Sequence, residues 1–233
     1  MKYLYLYINL FTILVPFIFS FHKRLQFHLH FFSFLKASVL VAIPFILWDG
    51  YFTSLGVWGF NGNYISGIKL YHLPIEEVLF FICIPFSCVF TYHCLLLFFN
   101  MKWEERTEKI VITTLVLFLF ITGIIYLSHL YTSVTFISLA ILLLILKFYI
   151  QVKWLPSFLS VYLVLLIPFS IVNGILTGTG LDSPVVWYNE SHIMGLRLMT
   201  IPVEDVFYGL ELLLLNVFFY HQFLDKKANK ENR

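Results

Sequence analysis

The sequence predicts an all-α integral membrane protein with about seven transmembrane helices, arranged as two repeats. The first observation is composition, since 60% of the 233 residues are hydrophobic, 12% are charged and the mean hydropathy is +0.87. The second is the length of the apolar runs, several of which reach the roughly 20 residues that a helix needs to cross a bilayer. The third is a short acidic motif that occurs twice. A transmembrane β-barrel would instead alternate polar and apolar residues.

The apolar runs divide the chain into seven predicted spans. They cover residues 3–20, 31–50, 73–99, 109–128, 132–150, 157–176 and 200–224. The first run lacks the small-residue cleavage site of a signal peptide, so we expect it to be the first span.

The basic residues fall mostly on one side of these spans. That side carries Lys23, Arg24, Lys36, Lys102, Arg106, Lys109, Lys147, Lys153, Lys226, Lys227, Lys230 and Arg233. The opposite side carries Lys2, Lys69 and Arg197. Because positively charged loops stay in the cytoplasm, we expect a multi-pass cell-membrane protein with its N-terminus outside and its C-terminus in the cytoplasm. The small net charge of +2 does not indicate a nucleic-acid partner.

The repeated motif places two adjacent carboxylates after a proline at the head of an apolar run. Its two copies read Pro74-Ile75-Glu76-Glu77 and Pro202-Val203-Glu204-Asp205. Proline and acids both suit the first turn of a helix, so helix capping is one interpretation. One acid would suffice for capping, and carboxylates are costly in hydrocarbon, so two recurring pairs favour a functional role.

Other residues recur at the same spacing. The matched pairs are Asn61 with Asn189, Gly67 with Gly195, Lys69 with Arg197, Tyr92-His93 with Tyr220-His221 and, after a gap, Asp49-Gly50 with Asn173-Gly174. Spans 2 and 3 therefore resemble spans 6 and 7, with an even number of crossings between them. The two halves should share one orientation, as parallel repeats about an axis along the membrane normal.

The candidate catalytic residues are Glu76, Glu77, Glu204 and Asp205. Successive helical residues point about 100° apart, so one acid of each pair can face a cavity while the other braces it. A carboxyl group in such a site can hold a proton at neutral pH and deliver it.

Five further residues are candidates for a supporting role. Glu211 lies two turns after Glu204, and Cys83 occupies the matching position in the first repeat. Asp49 and Asn173 are predicted to close spans 2 and 6, and helix C-capping explains the Asn173-Gly174 copy equally well. Asn61 and Asn189 lie in two long loops, 51–72 and 177–199, which we expect to fold back over the membrane face.

No cofactor or metal site is predicted. Gly178-Thr179-Gly180 lacks the third glycine of a dinucleotide-binding fingerprint and follows a membrane span. No His-x-x-His or Glu-x-x-His pattern lies in a span, so metal binding is not indicated.

The duplicated acidic motif, opening a Phe- and Leu-rich span each time, resembles the lycopene cyclase domain of small integral-membrane carotenoid cyclases from bacteria, archaea and fungi. In that family two homologous three-span units occur as separate subunits or fused, and a spacer span gives fused members seven. The resemblance implies a first cyclase repeat over 1–100 (spans 1–3), a linker loop and spacer helix over 101–131, a second repeat over 132–225 (spans 5–7), and a charged cytoplasmic tail over 226–233.

The resemblance also implies a function. It implies a lycopene β-cyclase, an isomerase of the intramolecular-lyase kind, which closes linear lycopene into a cyclic carotenoid such as β-carotene without net redox change or an evident cofactor. The motif acids of the family correspond to Glu76, Glu77, Glu204 and Asp205. The expected partners are lycopene or a related linear carotenoid and membrane lipid, and a second copy of the chain or other carotenoid enzymes are open as protein partners.

Two other classes of protein fit parts of the pattern. A proton-coupled transporter would use the acids as relays, although such proteins usually carry acids or helix breaks at mid-membrane. A non-enzymatic carotenoid-binding subunit would need the aromatic residues but not two acid pairs. Both remain alternatives at the level of sequence.

Overall fold

Helices dominate the computed structural model, which describes residues 1–231, with side chains to residue 225. The seven α-helices are α1 (Leu4–Phe19), α2 (Phe31–Ser54), α3 (Ile75–Phe98), α4 (Glu105–Ile125), α5 (Leu130–Leu144), α6 (Leu155–Leu176) and α7 (Val203–Glu231). Short 3₁₀ turns at Phe27–His30 and Glu190–His192 and a π-helical segment at Ile145–Tyr149 complete the helical structure. Each predicted span overlaps one of the α-helices.

Five segments of the described chain are long and apolar enough to cross a membrane. They are Phe27–Ser54, Ile75–Phe98, Glu105–Ile125, Leu130–Tyr149 and Leu155–Leu176, and α1 is a shorter apolar helix. The predicted fold class, an all-α membrane protein, is confirmed to this extent. α7 runs beyond the predicted end of span 7, and the side chains of the predicted charged tail, 226–233, lie outside the described residues.

The chain forms two compact units. Unit 1 comprises residues 1–56 and 60–98 and the chain from Leu212 onward, so it holds α1, α2, α3 and the second part of α7. Unit 2 comprises residues 57–59 and 99–211, so it holds α4, α5, α6 and the first part of α7. In unit 1, α3 packs against α1 and α2, and in unit 2, α5 packs against α4. Each unit carries one copy of the acidic motif.

Prolines inside α1 and α3 free backbone carbonyls, because a proline has no N–H to donate to the residue four positions earlier. Pro16 frees the carbonyl of Thr12, which accepts the Ser87 hydroxyl at 2.9 Å. Pro85 frees the carbonyl of Phe81, which accepts the Ser38 hydroxyl at 3.3 Å. Hydroxyls from neighbouring helices thus satisfy groups that would be costly to leave unpaired in hydrocarbon.

A short antiparallel hairpin precedes each motif helix. β2 (Lys69–Leu70) pairs with β3 (Leu73–Pro74), and β5 (Arg197–Leu198) pairs with β6 (Ile201–Pro202), in the same register. The backbone turns through positive φ at Tyr71 and His72 in the first hairpin and at Met199 in the second. A third sheet joins β1 (Trp58–Phe60) to β4 (Val186–Tyr188).

The hairpin is tied to the helix that follows it. The N–H of Ile75 donates to the carbonyl of Ile68 at 2.9 Å, and the N–H of Val203 donates to that of Leu196 at 3.0 Å. These bonds use N–H groups that the first turn of a helix leaves without an intrahelical partner. The loop and the first helical turn therefore form one local structure in each unit.

Candidate active site

The first acid of each motif, Glu76 in unit 1 and Glu204 in unit 2, has 0% of its surface exposed. The Ser66 N–H donates to Glu76 Oε1 at 2.6 Å, and the Met194 N–H donates to Glu204 Oε1 at 2.7 Å. Both donors stand ten residues before their acid. The loop before each motif therefore binds the same carboxyl oxygen in both units.

A glycine follows each of these N–H donors. Gly67 has a φ of 91° and Gly195 a φ of 80°, in a region that residues with a Cβ rarely adopt. The turn at this glycine lets the loop fold back so that the preceding N–H reaches the buried acid. This explains why the two glycines match in the sequence alignment of the repeats.

The second oxygen of the same carboxyl is buried without a partner in both units. Within the part of the chain whose side chains are described, no hydrogen-bond partner reaches Oε2 of Glu76 or Oε2 of Glu204. A buried charge without compensating hydrogen bonds is very costly. Each first acid thus has one oxygen bound by a loop N–H and one buried oxygen without a partner in this part of the chain.

The second acid of each motif, Glu77 or Asp205, accepts a hydrogen bond from a tyrosine. The Tyr5 hydroxyl donates to Glu77 Oε2 at 2.6 Å, and the Tyr131 hydroxyl donates to Asp205 Oδ1 at 2.8 Å. Tyr5 is the second residue of α1, and Tyr131 is the second residue of α5. The two units therefore repeat this contact between matching helices.

Asp205 receives two further donors on its other oxygen. The Asn173 side-chain amide donates to Oδ2 at 2.8 Å and the Tyr188 hydroxyl donates to it at 2.9 Å. With Tyr131, these groups supply donors to both oxygens of a side chain that is 5% exposed. Donors stabilise the ionised form of a carboxyl, so this arrangement suits a carboxylate.

Asp49 does not close its helix as expected, and Asn173 lies in the last turn of α6 but is not its C-cap. α2 continues from Asp49 to Ser54, and α6 continues from Asn173 to Leu176. C-capping therefore explains neither residue, because further helical residues follow each of them. Asn173 instead contacts Asp205, and Asp49 is buried inside α2 with 4% of its surface exposed.

The first acids of the two motifs differ in their contacts with α1 in unit 1 and α5 in unit 2, the two helices that match between the units. In unit 2 the Thr132 hydroxyl donates to Glu204 Oε1 at 2.5 Å. In unit 1 the position that matches Thr132 is Leu6, and the Asn9 amide instead donates to the backbone carbonyl of Glu76 at 2.8 Å. Unit 2 thus adds a hydroxyl donor to its first acid.

Glu211 lies lower on α7 and belongs to unit 2. It is 6% exposed, and its Oε2 accepts the Ser138 hydroxyl at 2.8 Å. Cys83 holds the matching position in α3 and is a buried free thiol. A third acid, two turns beyond the motif on the same helix, is therefore a property of unit 2.

Asn61 and Asn189 shape their loops. The side-chain oxygen of Asn61 accepts the N–H of Asn63 at 3.0 Å, and that of Asn189 accepts the N–H of Ser191 at 3.1 Å. This is the local turn that asparagine favours. These contacts are within the loops and do not involve the motif acids.

Sequence reasoning missed the hydroxyl donors of the site. They are Tyr5, Thr132, Tyr131, Ser138 and Tyr188. Comparison of spans 1 and 5 could have found the two helix-start tyrosines, because each is the second residue of its helix. Thr132 and Tyr188 match Leu6 and Phe60, which carry no hydroxyl, so no repeat signal marked these two donors.

Comparison with known protein families agrees with this two-unit arrangement. Residues 2–95 and 128–223 match the family model described as lycopene cyclase. No curated protein and no solved structure matched the chain. The two matched regions each contain one acidic motif, so the internal repeat is shown independently of the alignment of the acids.

The chain belongs to the lycopene cyclase family. Family membership places it in carotenoid biosynthesis, as a carotenoid cyclase. Together with the apolar helices, it also identifies a membrane protein with an internal repeat.

Proposed function

We propose that this protein is a lycopene β-cyclase that closes the ends of linear lycopene by an acid-initiated, non-redox isomerisation inside the membrane. The observation that carries the proposal is the buried acid pair in each unit. One glutamate has an unpartnered oxygen suited to hold a proton, and a neighbouring acid accepts a tyrosine hydroxyl. A hydrocarbon substrate also agrees with a site set among apolar helices.

The reaction needs a proton donor first. Glu76 or Glu204 gives the proton at Oε2 to a terminal carbon–carbon double bond, which leaves a tertiary carbocation on the adjacent carbon. The electrons of a second double bond then form the ring bond and move the positive charge into the ring. A proton donor placed in this way typically contributes about 10²–10⁴ in rate.

The second acids stabilise the positive charge. Glu77 and Asp205 act as carboxylates beside the donor, in a low-dielectric site where such charge stabilisation is strongest. Aromatic rings add to it, because ring faces attract cations. Loss of one ring proton completes the isomerisation, so one proton enters and one leaves and no electron is transferred.

The most direct test of this function is expression in a bacterium engineered to accumulate lycopene, followed by chromatography of the pigments. A cyclic carotenoid with β-rings is the expected product. Unchanged lycopene beside a well-expressed, membrane-inserted protein would contradict the proposal. Proton flux into liposomes driven by the purified protein, without pigment conversion, would favour the transporter alternative.

We also propose that all seven helices cross the membrane, as parallel repeats, with the N-terminus outside and the C-terminus in the cytoplasm. Charge asymmetry supports this orientation. On a background without native cysteines, Asn63→Cys and Ser191→Cys, which lie at exposed positions, should react with a membrane-impermeant thiol reagent from outside. Glu104→Cys, also exposed, should react only after the membrane is opened, and the reverse pattern would overturn the orientation.

A further inference from the structure

One face of α7 in unit 2 carries an acid, then aromatic rings, then a second acid. Glu204, Phe207, Tyr208 and Glu211 follow the spacing i, i+3, i+4 and i+7, which places them on one side of a helix. Seven residues of helix separate the two acids by about 10 Å along the axis. We call these four residues the acid–aromatic stripe. Its two rings are half-buried, whereas both acids are buried.

Helix α5 contacts the stripe along its length. Thr132 donates to Glu204, the upper acid, and Ser138 donates to Glu211, the lower acid. Between them, the ring of Phe136 lies edge-on to that of Phe207, with centroids 4.6 Å apart. The two acids are thus held at fixed positions above and below an aromatic segment.

The surroundings of Glu211 suit a group that changes its protonation state. The Ser138 hydroxyl lies 2.8 Å from Glu211 Oε2 and 3.2 Å from the carbonyl of Thr135. A hydroxyl can donate one hydrogen bond and also accept. It can therefore donate to an ionised Glu211, or accept from a protonated Glu211 while donating to Thr135. Asp205, by contrast, receives three donors, one on Oδ1 and two on Oδ2.

Unit 1 has the upper acid of this arrangement but not the lower one. At the positions that match Phe207, Tyr208 and Glu211, α3 carries Leu79, Phe80 and Cys83. The position that matches Ser138 in α1 is Thr12. A buried thiol is a poor replacement for a carboxylate as a proton acceptor, because the free thiol is largely protonated at neutral pH.

We propose that Glu211 is a further catalytic residue, the base that takes the ring proton in the last step at unit 2. This inference rests on the proposed cyclase function. The cyclising end of the carotenoid lies along the aromatic segment, between the proton donor Glu204 and the proton acceptor Glu211.

The proton balance is closed by these two acids. Glu204 loses its proton to the terminal double bond, and the new carbon–carbon bond moves the cation into the ring. The carbon–hydrogen bond next to the cation then breaks, its electron pair forms the ring double bond, and its proton goes to Glu211. Exchange with water returns Glu211 to the carboxylate and Glu204 to the acid, so no co-reactant is consumed.

The test compares Glu211→Gln with wild type for conversion and for the ratio of ring types at equal membrane-protein level. Glutamine keeps the shape and the hydrogen bond to Ser138 but takes up no proton, so conversion should fall by about 10²–10⁴. The residual product should change in ring type, because another base then removes a proton from a different carbon. With lycopene deuterated at the carbon that loses the proton, the kinetic isotope effect on cyclisation should be larger in this variant than in wild type.

Two further variants separate catalysis from folding. Glu211→Asp keeps a carboxylate and should recover part of the conversion with the wild-type ring ratio. Cys83→Ala, the matched change in unit 1, should leave the ring ratio unchanged. If Glu211→Gln lowers conversion but leaves both the ring ratio and the isotope effect at wild-type values, Glu211 has a structural role and the inference is wrong. Normal conversion in that variant would overturn it too, whereas a wild-type protein that forms no cyclic product would refute the cyclase function itself.

Discussion

The two units share a scaffold but differ in the chemistry attached to it. Both have a hairpin of the same register before the motif helix, and both bind Oε1 of the first acid through a loop N–H. Both leave Oε2 of that acid without a partner among the described residues. In both units, the hydroxyl of a tyrosine at the start of a helix donates to the second acid. The shared part is therefore the set of contacts that hold the two adjacent acids of each motif.

The differences lie around the second acid and farther along the motif helix. Asn173 and Tyr188 donate to Asp205, whereas Asp49 and Phe60 occupy the matching positions in unit 1. An amide and a phenol each carry a hydrogen-bond donor, whereas a phenyl ring carries none. The contacts at the first acid are thus repeated between the units, while residues around the second acid and farther along the motif helix differ.

The largest effects are expected at the first acids. Glu76→Gln and Glu204→Gln should each insert normally and lose most of the cyclisation, by about 10²–10⁴ in rate, because glutamine has no proton to give. Conversion of lycopene relative to membrane-protein level measures this. Glu190→Gln, an exposed loop acid paired with Arg197, is the control and should stay near wild type. If capping were the only role, each change would cost only about 1 kcal/mol of stability and activity would persist.

Changes at the second acids should be harmful but less uniform. Asp205→Asn replaces an acceptor of three donors with an amide, so Tyr131, Tyr188 and Asn173 can no longer all be satisfied. We expect it to lower conversion more than Glu77→Gln does. Equal losses in the two variants, measured in the same assay, would show that the extra donors of unit 2 do not matter for the reaction.

A smaller effect is expected from the tyrosine that holds Asp205. Tyr131→Phe removes one hydrogen bond to a charged group, which is worth about 1.5–3 kcal/mol, but Asn173 and Tyr188 still donate to Asp205. Conversion should fall by less than in Asp205→Asn and the ring ratio should be kept. A loss as large as that of Asp205→Asn would indicate that Tyr131 contacts the substrate directly.

The smallest effect is expected in the loops. Asn189→Ala removes the local turn to Ser191, so we expect a change of less than about twofold in conversion and a loss of roughly 1 kcal/mol or less in stability. Asn61→Ala is the matched change in unit 1. A severe loss of conversion in either variant would mean that these asparagines belong to the site.

Much of the fold followed from the sequence because apolar runs and a duplicated motif are strong signals. The predicted spans each overlap an α-helix, and the family match covers both repeats. Helix ends were less predictable: Asp49-Gly50 resembles a helix end, but α2 continues to Ser54, with Phe52 buried in its last turn. The acids of the candidate site were visible as a repeat, whereas the donors Thr132 and Tyr188 match Leu6 and Phe60, which carry no hydroxyl.

The central claim is that the first acid of each motif is a neutral carboxylic acid and Asp205 is a carboxylate. Infrared spectroscopy of the purified protein in an ester-free detergent tests it directly, through the carbonyl absorption that a carboxyl group gives when it is protonated. We predict that Glu76→Gln and Glu204→Gln each remove part of this absorption, whereas Asp205→Asn leaves it unchanged. An absorption that survives intact in both Gln variants, or that disappears in Asp205→Asn, would contradict the account.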